Sequence, residues 1–376
     1  MQQKMILNRN FIAIGLSAVL AFGTAGALVA CSAPSNTDKG SAVQSGDQSA
    51  TRTVTLEGVD YQVPAQVDKV APTIGALAQV TEIVSVDGDN IAATATRAIS
   101  DQFKTVFNKY SQGNPTNADT SDIESVIAAG VQVTYGPSSV YSDEQRQQLT
   151  DAGIVFIPMD NIATIDGICN ITEAIGQILG DEEYARAKQF TAYWKDNIFD
   201  ARSRTAGLTD DQKPTVLNLS YNNGAFTTES GAALISEYIK AAGGKSLSED
   251  YSAAASGNGG GKGGATVSEE QIVAWNPDYI ITFSPESTEQ VLSNPALAEV
   301  PAVKNGHVYT SPKGLYLWSV RSGEGALMAP WVGIKINADR FADVDMVKMV
   351  QDFFSTYYNY SLTEDQANAV LAGTSF

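Results

Sequence analysis

Short apolar runs alternate along the chain with longer stretches whose apolar residues recur every three or four positions. "EIVSVD" (82–87), "VQVTY" (131–135) and "IVFIPM" (154–159) read as strands buried on both faces, since helices flanking a parallel sheet leave it no polar side. Helical stretches are predicted at 103–110, 122–129 and 143–152. After Pro214 the pattern restarts. It runs through strand 215–221, a helix at 230–242 closed by Gly243 and Gly244, helix 268–275, strand "DYIITF", helix 287–298 and strand "HVYTS". A restart of this kind predicts two α/β lobes. Between them, "DEEYARAKQFTAYWKDNIFDARSR" (181–204) has no Gly or Pro and carries Tyr184, Ala187, Thr191, Trp194, Ile198 and Ala201 at helical spacing. A helix of about 24 residues is about 36 Å long. That length reaches from one lobe to the other; the alternative is a helix packed inside one lobe. The expected division is an N-terminal lobe over 51–180, a bridging helix over 181–206 and a C-terminal lobe over 207–376.

The first residues change the picture. Lys4 and Arg9 precede an apolar run, 11–30, which ends in "LVAC" at Cys31. This resembles a bacterial lipobox. It implies a signal peptide over 1–30, lipid on Cys31 and an extracytoplasmic protein anchored to the cell membrane. The other reading is an uncleaved membrane helix, because about 20 apolar residues span a bilayer. Residues 31–50 are rich in Ser, Gly, Gln and Asp and read as a tether. Only one other cysteine exists, Cys169, so no intrachain disulfide follows; its apolar helical setting predicts a buried, inert thiol. The formal charge is −18, from 42 acidic and 24 basic residues, which argues against a nucleic-acid partner.

One unit recurs. "VSEEQIVAWNPDYIIT" (267–282) is echoed by "TSDIESVIAAGVQVTY" (120–135). Ser268 is a helix N-cap with Gln271 completing a capping box, and Asn276-Pro277 ends the helix. In the echo Asp122 matches Ser268, Glu124 matches Glu270, and Val133 falls near Ile281. Each lobe thus has a short helix with an outward glutamate in its first turn.

The segment 267–282, followed by "NPALAEVPAVKNGHVYTSP", "LWSVRSGEGALMAPWVGIKINADRF" and "DFFSTYYNYSLTEDQANAVLAG", resembles in order and spacing the C-terminal lobe of substrate-binding proteins of ferric-siderophore, haem and cobalamin ABC importers. The resemblance covers about residues 52–376 and is specific from 214 onward; at 130–131 the usual Pro-Asp is missing. It implies two Rossmann-like lobes joined by a single long α-helix, a ligand in the cleft between them, and a glutamate on each lobe meeting arginines of the permease. Carried over residue by residue, those glutamates are Glu124 and Glu270. The other reading of both is a favourable charge on the helix dipole.

In α/β sheets ligands bind beyond the carboxyl ends of strands. The residues found there are Tyr135 and Tyr141, then Tyr221, Asn222, Asn223 and Phe226, then Tyr316, Trp318 and Arg321. Aromatic rings offer flat faces to a chelate, and Arg offers a planar cation to carboxylate or catecholate oxygens. Each aromatic has core packing as its alternative. Arg321 has Glu324 as an alternative partner, and Arg97, a weaker second cation, has plain surface exposure. His307 alone cannot build a bare-metal site, so no metal ligands and no cofactor are expected, and a metal would arrive already chelated.

"SGNGGGKGG" (256–264) fails the P-loop spacing and reads as a surface loop. The expectation is a non-enzymatic carrier of an iron-siderophore-type chelate, with an ABC importer permease as partner. Haem or corrinoid cargo, an anchored glycoside hydrolase and a surface adhesion lipoprotein are the alternatives.

Overall fold

The computed structural model describes residues 50–376 apart from 87, 96–98, 113–117, 232 and 252–263. The signal-like segment with Cys31, the tether up to residue 49, Arg97, and all of the 256–264 glycine-rich stretch except Gly264 lie outside the described residues. A hairpin comes first, β1 (Thr51–Leu56) with β2 (Val59–Pro64). Next are β3 (Val70–Pro72), α1 (Gly75–Val84), α2 (Asp101–Val106), α3 (Ile123–Ala128), β4 (Val133–Gly136), α4 (Asp143–Asp151), β5 (Val155–Pro158) and α5 (Ile165–Leu179). The long helix is α6 (Asp181–Thr205). Beyond it lie β6 (Thr215–Asn222), β7 (Ala225–Thr228), α7 (Leu234–Ala241), β8 (Lys245–Ser246), β9 (Ala265–Thr266), α8 (Glu269–Trp275) and β10 (Tyr279–Thr282). The chain ends with α9 (Pro285–Ser293), α10 (Pro301–Lys304), β11 (Val308–Thr310), α11 (Met328–Ile336), α12 (Met346–Tyr358) and α13 (Glu364–Leu371).

The strands form two separate parallel sheets. β3, β4 and β5 make one. In the other, β11, β10, β6 and β8 run parallel, and β7 with β9 extends β6 antiparallel. Alternate residues of each strand point to opposite faces, and here the two faces feed different cores. Val70, Val133, Tyr135 and Ile157 of the first sheet share one core with Val216 and Ile281 of the second. Phe190, Trp194 and Ile198 of α6 are buried in that same core. The outer faces have cores of their own, one around Ala71, Val126 and Leu149, the other around Leu217, Leu219 and Ile280. Helix α6 carries Asp181, Glu182 and Glu183 in its first turn and Arg202 and Arg204 in its last, matching the helix dipole at both ends. Its Arg186 straps two further elements, donating from Nε to Ile83 O at 2.6 Å and from Nη2 to Thr356 O at 3.1 Å.

Several expectations need correction. The strand read at 82–87 is the last turn of α1 as far as Val84. All ten residues of that helix are buried, so it shows no polar stripe and imitates a strand. The strand that pairs with β4 is instead β3, only three residues long. Asn222 and Asn223 belong to a hairpin rather than to a loop after a strand. Asn223 and Gly224 sit at φ +52° and +82°, the two-residue turn that Asn-Gly favours. Cys169 is a buried free thiol, as expected, and burial pushes it up to about 12. Among the described residues no helix is long and apolar enough to cross a membrane.

The contact between α5 and α6 supports the shared core. A Cβ on Gly176 would lie 2.7 Å from Ala187 Cβ and 2.8 Å from Glu183 O. Gly176→Val is expected to lower stability by about 3 kcal/mol, near the upper end for overpacking, read as a lower urea midpoint with an unchanged slope.

Candidate functional site

The loop after β11 folds back on itself, with Trp318 N donating to Pro312 O at 3.1 Å and Lys313 bridged to Leu317. Glu324, fully buried, holds it there. Its carboxylate accepts from Gly314 N at 3.0 Å, Leu315 N at 2.9 Å, Trp318 Nε1 at 2.8 Å, Tyr358 Oη at 3.0 Å and Gln79 Nε2 at 2.9 Å. Gln79 Oε1 in turn accepts from Ser322 Oγ at 3.1 Å and Gly323 N at 3.0 Å. One carboxylate therefore ties α1, the loop and α12 together. Burial pushes Glu324 up to about 7, against the pull of its donors.

That geometry settles several predicted site residues. Trp318 is fully buried and spends its only donor on Glu324, so it offers no face to a ligand. Tyr135 is also fully buried, its hydroxyl 2.6 Å from Thr81 Oγ1. Tyr141 packs edge-on against Phe156 with ring centroids 5.2 Å apart. These three are core residues, because a ring at a strand end serves packing as readily as binding. Glu324 does not pair with Arg321: its two oxygens are taken by the five donors.

Arg321 is half-buried and forms no ion pair among the described residues, and its Nε is buried without a hydrogen-bond partner. The nearby Glu229 carboxyl is raised by burial and drawn back by the Arg321 charge. Asn218 fixes that end of β7, accepting from Glu229 N at 2.8 Å and donating to Ser248 Oγ at 2.7 Å. Three more buried polar atoms lack partners close to strand ends: Thr73 Oγ1 directly after β3, Ser311 Oγ directly after β11, and Ser319 Oγ in the folded loop. Buried hydroxyls and guanidinium nitrogens are almost always bonded, so Thr73 and Ser311, each directly after a parallel strand, and Ser319 and Arg321 in the folded loop are the polar groups here with bonding capacity to spare. Sequence reading did not single out Thr73, Ser311 or Ser319; Thr73 and Ser311 are hydroxyl residues directly following a strand, whereas Ser319 lies within the loop. Tyr316 lies half-buried in the same loop.

Tyr221 and Phe226 belong to a different place. They pair across the hairpin, ring centroids 5.1 Å apart, and wall a cavity of about 510 Å³ together with Thr266, Ser268, Glu269 and Asn294. None of Thr73, Ser311, Ser319, Tyr316 or Arg321 lines it. Within this cavity Asn294 Nδ2 donates to Glu269 at 2.6 Å.

Glu124 and Glu270 are both exposed, on α3 and α8. Ser268 caps α8 by accepting from Gln271 N at 3.2 Å, but the reciprocal half of the expected box is not formed. The backbone N–H of Glu270 and the Ser268 hydroxyl hold the Glu270 carboxyl below its usual range. His307 stacks on Tyr279 at 4.5 Å and contacts Asp278 O through Nδ1. Among the described residues no group of three or more His, Cys, Asp or Glu side chains could hold a metal ion.

Residues 72–315 match the family described as periplasmic binding protein. The molybdate-binding protein MolA of Haemophilus influenzae is 32% identical over 109 residues, 28% of this chain and 31% of that protein. This chain therefore spans about a third of that relative's length. A periplasmic solute binding protein from Veillonella parvula superposes with a TM-score of 0.69 at 23% identity, covering 86% of this chain and 97% of that one. The triscatecholate siderophore binding protein FeuA from Bacillus subtilis, complexed with Ferri-Bacillibactin, gives a TM-score of 0.57 at 17% identity over 76% and 98% of the two chains. At these identities the structural matches establish the fold.

The raised Glu324 carboxyl carries a pH dependence of definite sign. A folded value near 7 against an ordinary 4.5 means that the stabilisation is fully present below about 4.5 and is lost as pH rises through about 7. Wild type is expected to lose stability relative to Glu324→Gln across that window. Paired urea melts at a series of pH values test this, and parallel curves would refute it.

Proposed function

The chain belongs to the periplasmic binding protein family, and we propose that it is the substrate-binding component of an ABC importer whose cargo is a bulky anionic metal complex of the ferric-siderophore type. The observation that supports this reading is a set of buried, unpartnered polar atoms, those of Thr73 and Ser311 directly after one strand of each sheet and those of Ser319 and Arg321 in the loop that follows β11. Hydroxyl and guanidinium donors suit an oxygen-rich anion. Catecholate iron complexes and molybdate share that chemistry, and MolA and FeuA are named for such ligands. Haem and corrinoid are the remaining candidates, recognised by Tyr316 and the same cation.

The protein performs no chemistry on its cargo. The hydrolase and adhesion alternatives lose their ground with the family assignment. Lipid on Cys31 would hold the carrier at the membrane beside its permease, and Glu124 and Glu270 would meet basic groups there, fixing register and encounter rate.

Two experiments test this. Trp fluorescence titration against a ferric triscatecholate siderophore, molybdate, haem and cobalamin is expected to show saturable binding of one anionic member. Arg321→Ala should weaken it by about tenfold to a hundredfold, the loss of one charged hydrogen-bonding group; an unaltered curve removes Arg321 from the site. Charge reversal at Glu124 and Glu270 should leave the titration unchanged and stop uptake. Transport at the wild-type rate would exclude them from docking.

A further inference from the structure

The unit repeated in the sequence is repeated in the structure, position for position. Glu124 and Glu270 each occupy the second position of their helix, α3 and α8. Val126 and Ile272, two residues on, are both fully buried. Gly130 and Asn276 both take left-handed backbone, at φ +71° and +49°, and β4 and β10 each begin three residues later. This register places Val133 on Tyr279, not near Ile281, and puts Ile127 on Val273. Ile127 is 41% exposed and Val273 45%. They are two of only six large apolar side chains exposed among the described residues.

A single exposed aliphatic residue needs no explanation. The same register used twice does, because neither residue is needed for the core behind it, which Val126 and Ile272 already supply. Each lies one helical turn beyond its glutamate, so each helix shows a carboxylate and an aliphatic group on one surface. Neither glutamate enters an ion pair among the described residues.

We propose that Ile127 and Val273 are paired apolar anchors of the docking face, each seated in the importer permease beside the basic group that meets Glu124 or Glu270. This rests on the docking reading above and adds the part that salt does not screen. A charged rim sets register and rate, whereas a desolvated apolar anchor slows release. Two like prongs need two like sockets, each basic with an apolar pocket, and a permease built from two copies of one chain supplies them.

The test is affinity for the purified permease complex in nanodiscs, at about 0.05 M and about 0.5 M salt. The Ile127→Ala, Val273→Ala double variant, which keeps helix propensity, should lose about tenfold affinity at both salts. Its thermal midpoint should be unchanged, and leucine at both positions should restore binding. Glu124→Gln with Glu270→Gln should weaken binding chiefly at low salt. If the alanine variant binds like wild type while the glutamine variant does not, the anchors are refuted and the docking reading stands. If neither weakens, the docking reading itself falls.

Discussion

A single buried carboxylate organises the junction of this molecule. Glu324 takes five donors, two from the loop backbone, one from that loop's indole, one from α12 and one from α1. An ionised group without water is stable only when its lone pairs are filled, and removing either side of such a network leaves the other side stranded. The carboxylate thus imposes one arrangement on the loop that carries Tyr316, Ser319 and Arg321. Gln79 joins the first sheet's half of the chain to that arrangement through both ends of its amide. Gly325 makes the close approach possible, since a Cβ there would fall 2.5 Å from Tyr238 Oη. The loop is therefore built on the same buried centre that joins the two halves.

That centre was hidden from sequence reading for a physical reason. A glutamate three residues after an arginine suggests a local pair, and nothing local reveals a glutamine 245 positions away. The aromatic candidates failed similarly. Tyr135, Tyr141 and Trp318 follow or flank strands, as binding residues do, yet their rings fill the cores and their polar tips find internal partners. Arg321 stands apart from Glu324, the local partner its sequence position suggested, and its charge acts instead on the Glu229 carboxyl. The hydroxyls of Thr73, Ser311 and Ser319 become informative only once burial is known, because an exposed serine without a partner is simply hydrated.

The fold was far more legible. Buried parallel strands announce themselves as unbroken apolar runs, so β4, β5, β6 and β10 were found within a residue or two. The resemblance seen in four C-terminal segments agrees with the family that residues 72–315 match. Failures fell where periodicity carries no signal. α1 is apolar all round, and β3, with three residues, is too short to show a pattern. The β6–β7 hairpin was legible in principle from Asn223-Gly224, whose turn chemistry is specific, but polar residues after a strand fit a ligand-binding loop equally well.

Rigidity follows from how the two sheets share their interior. Their inner faces meet α6 in one continuous core, so separating them would expose apolar surface on both sides of that helix at about 25 cal/mol per Å². Arg186 adds a polar strap from α6 to α1 and α12. A wide hinge opening would break these contacts together. Helices α3 and α8, in matching register, are anchored one to each outer core, Val126 in the first and Ile272 in the second, so this framework fixes them both.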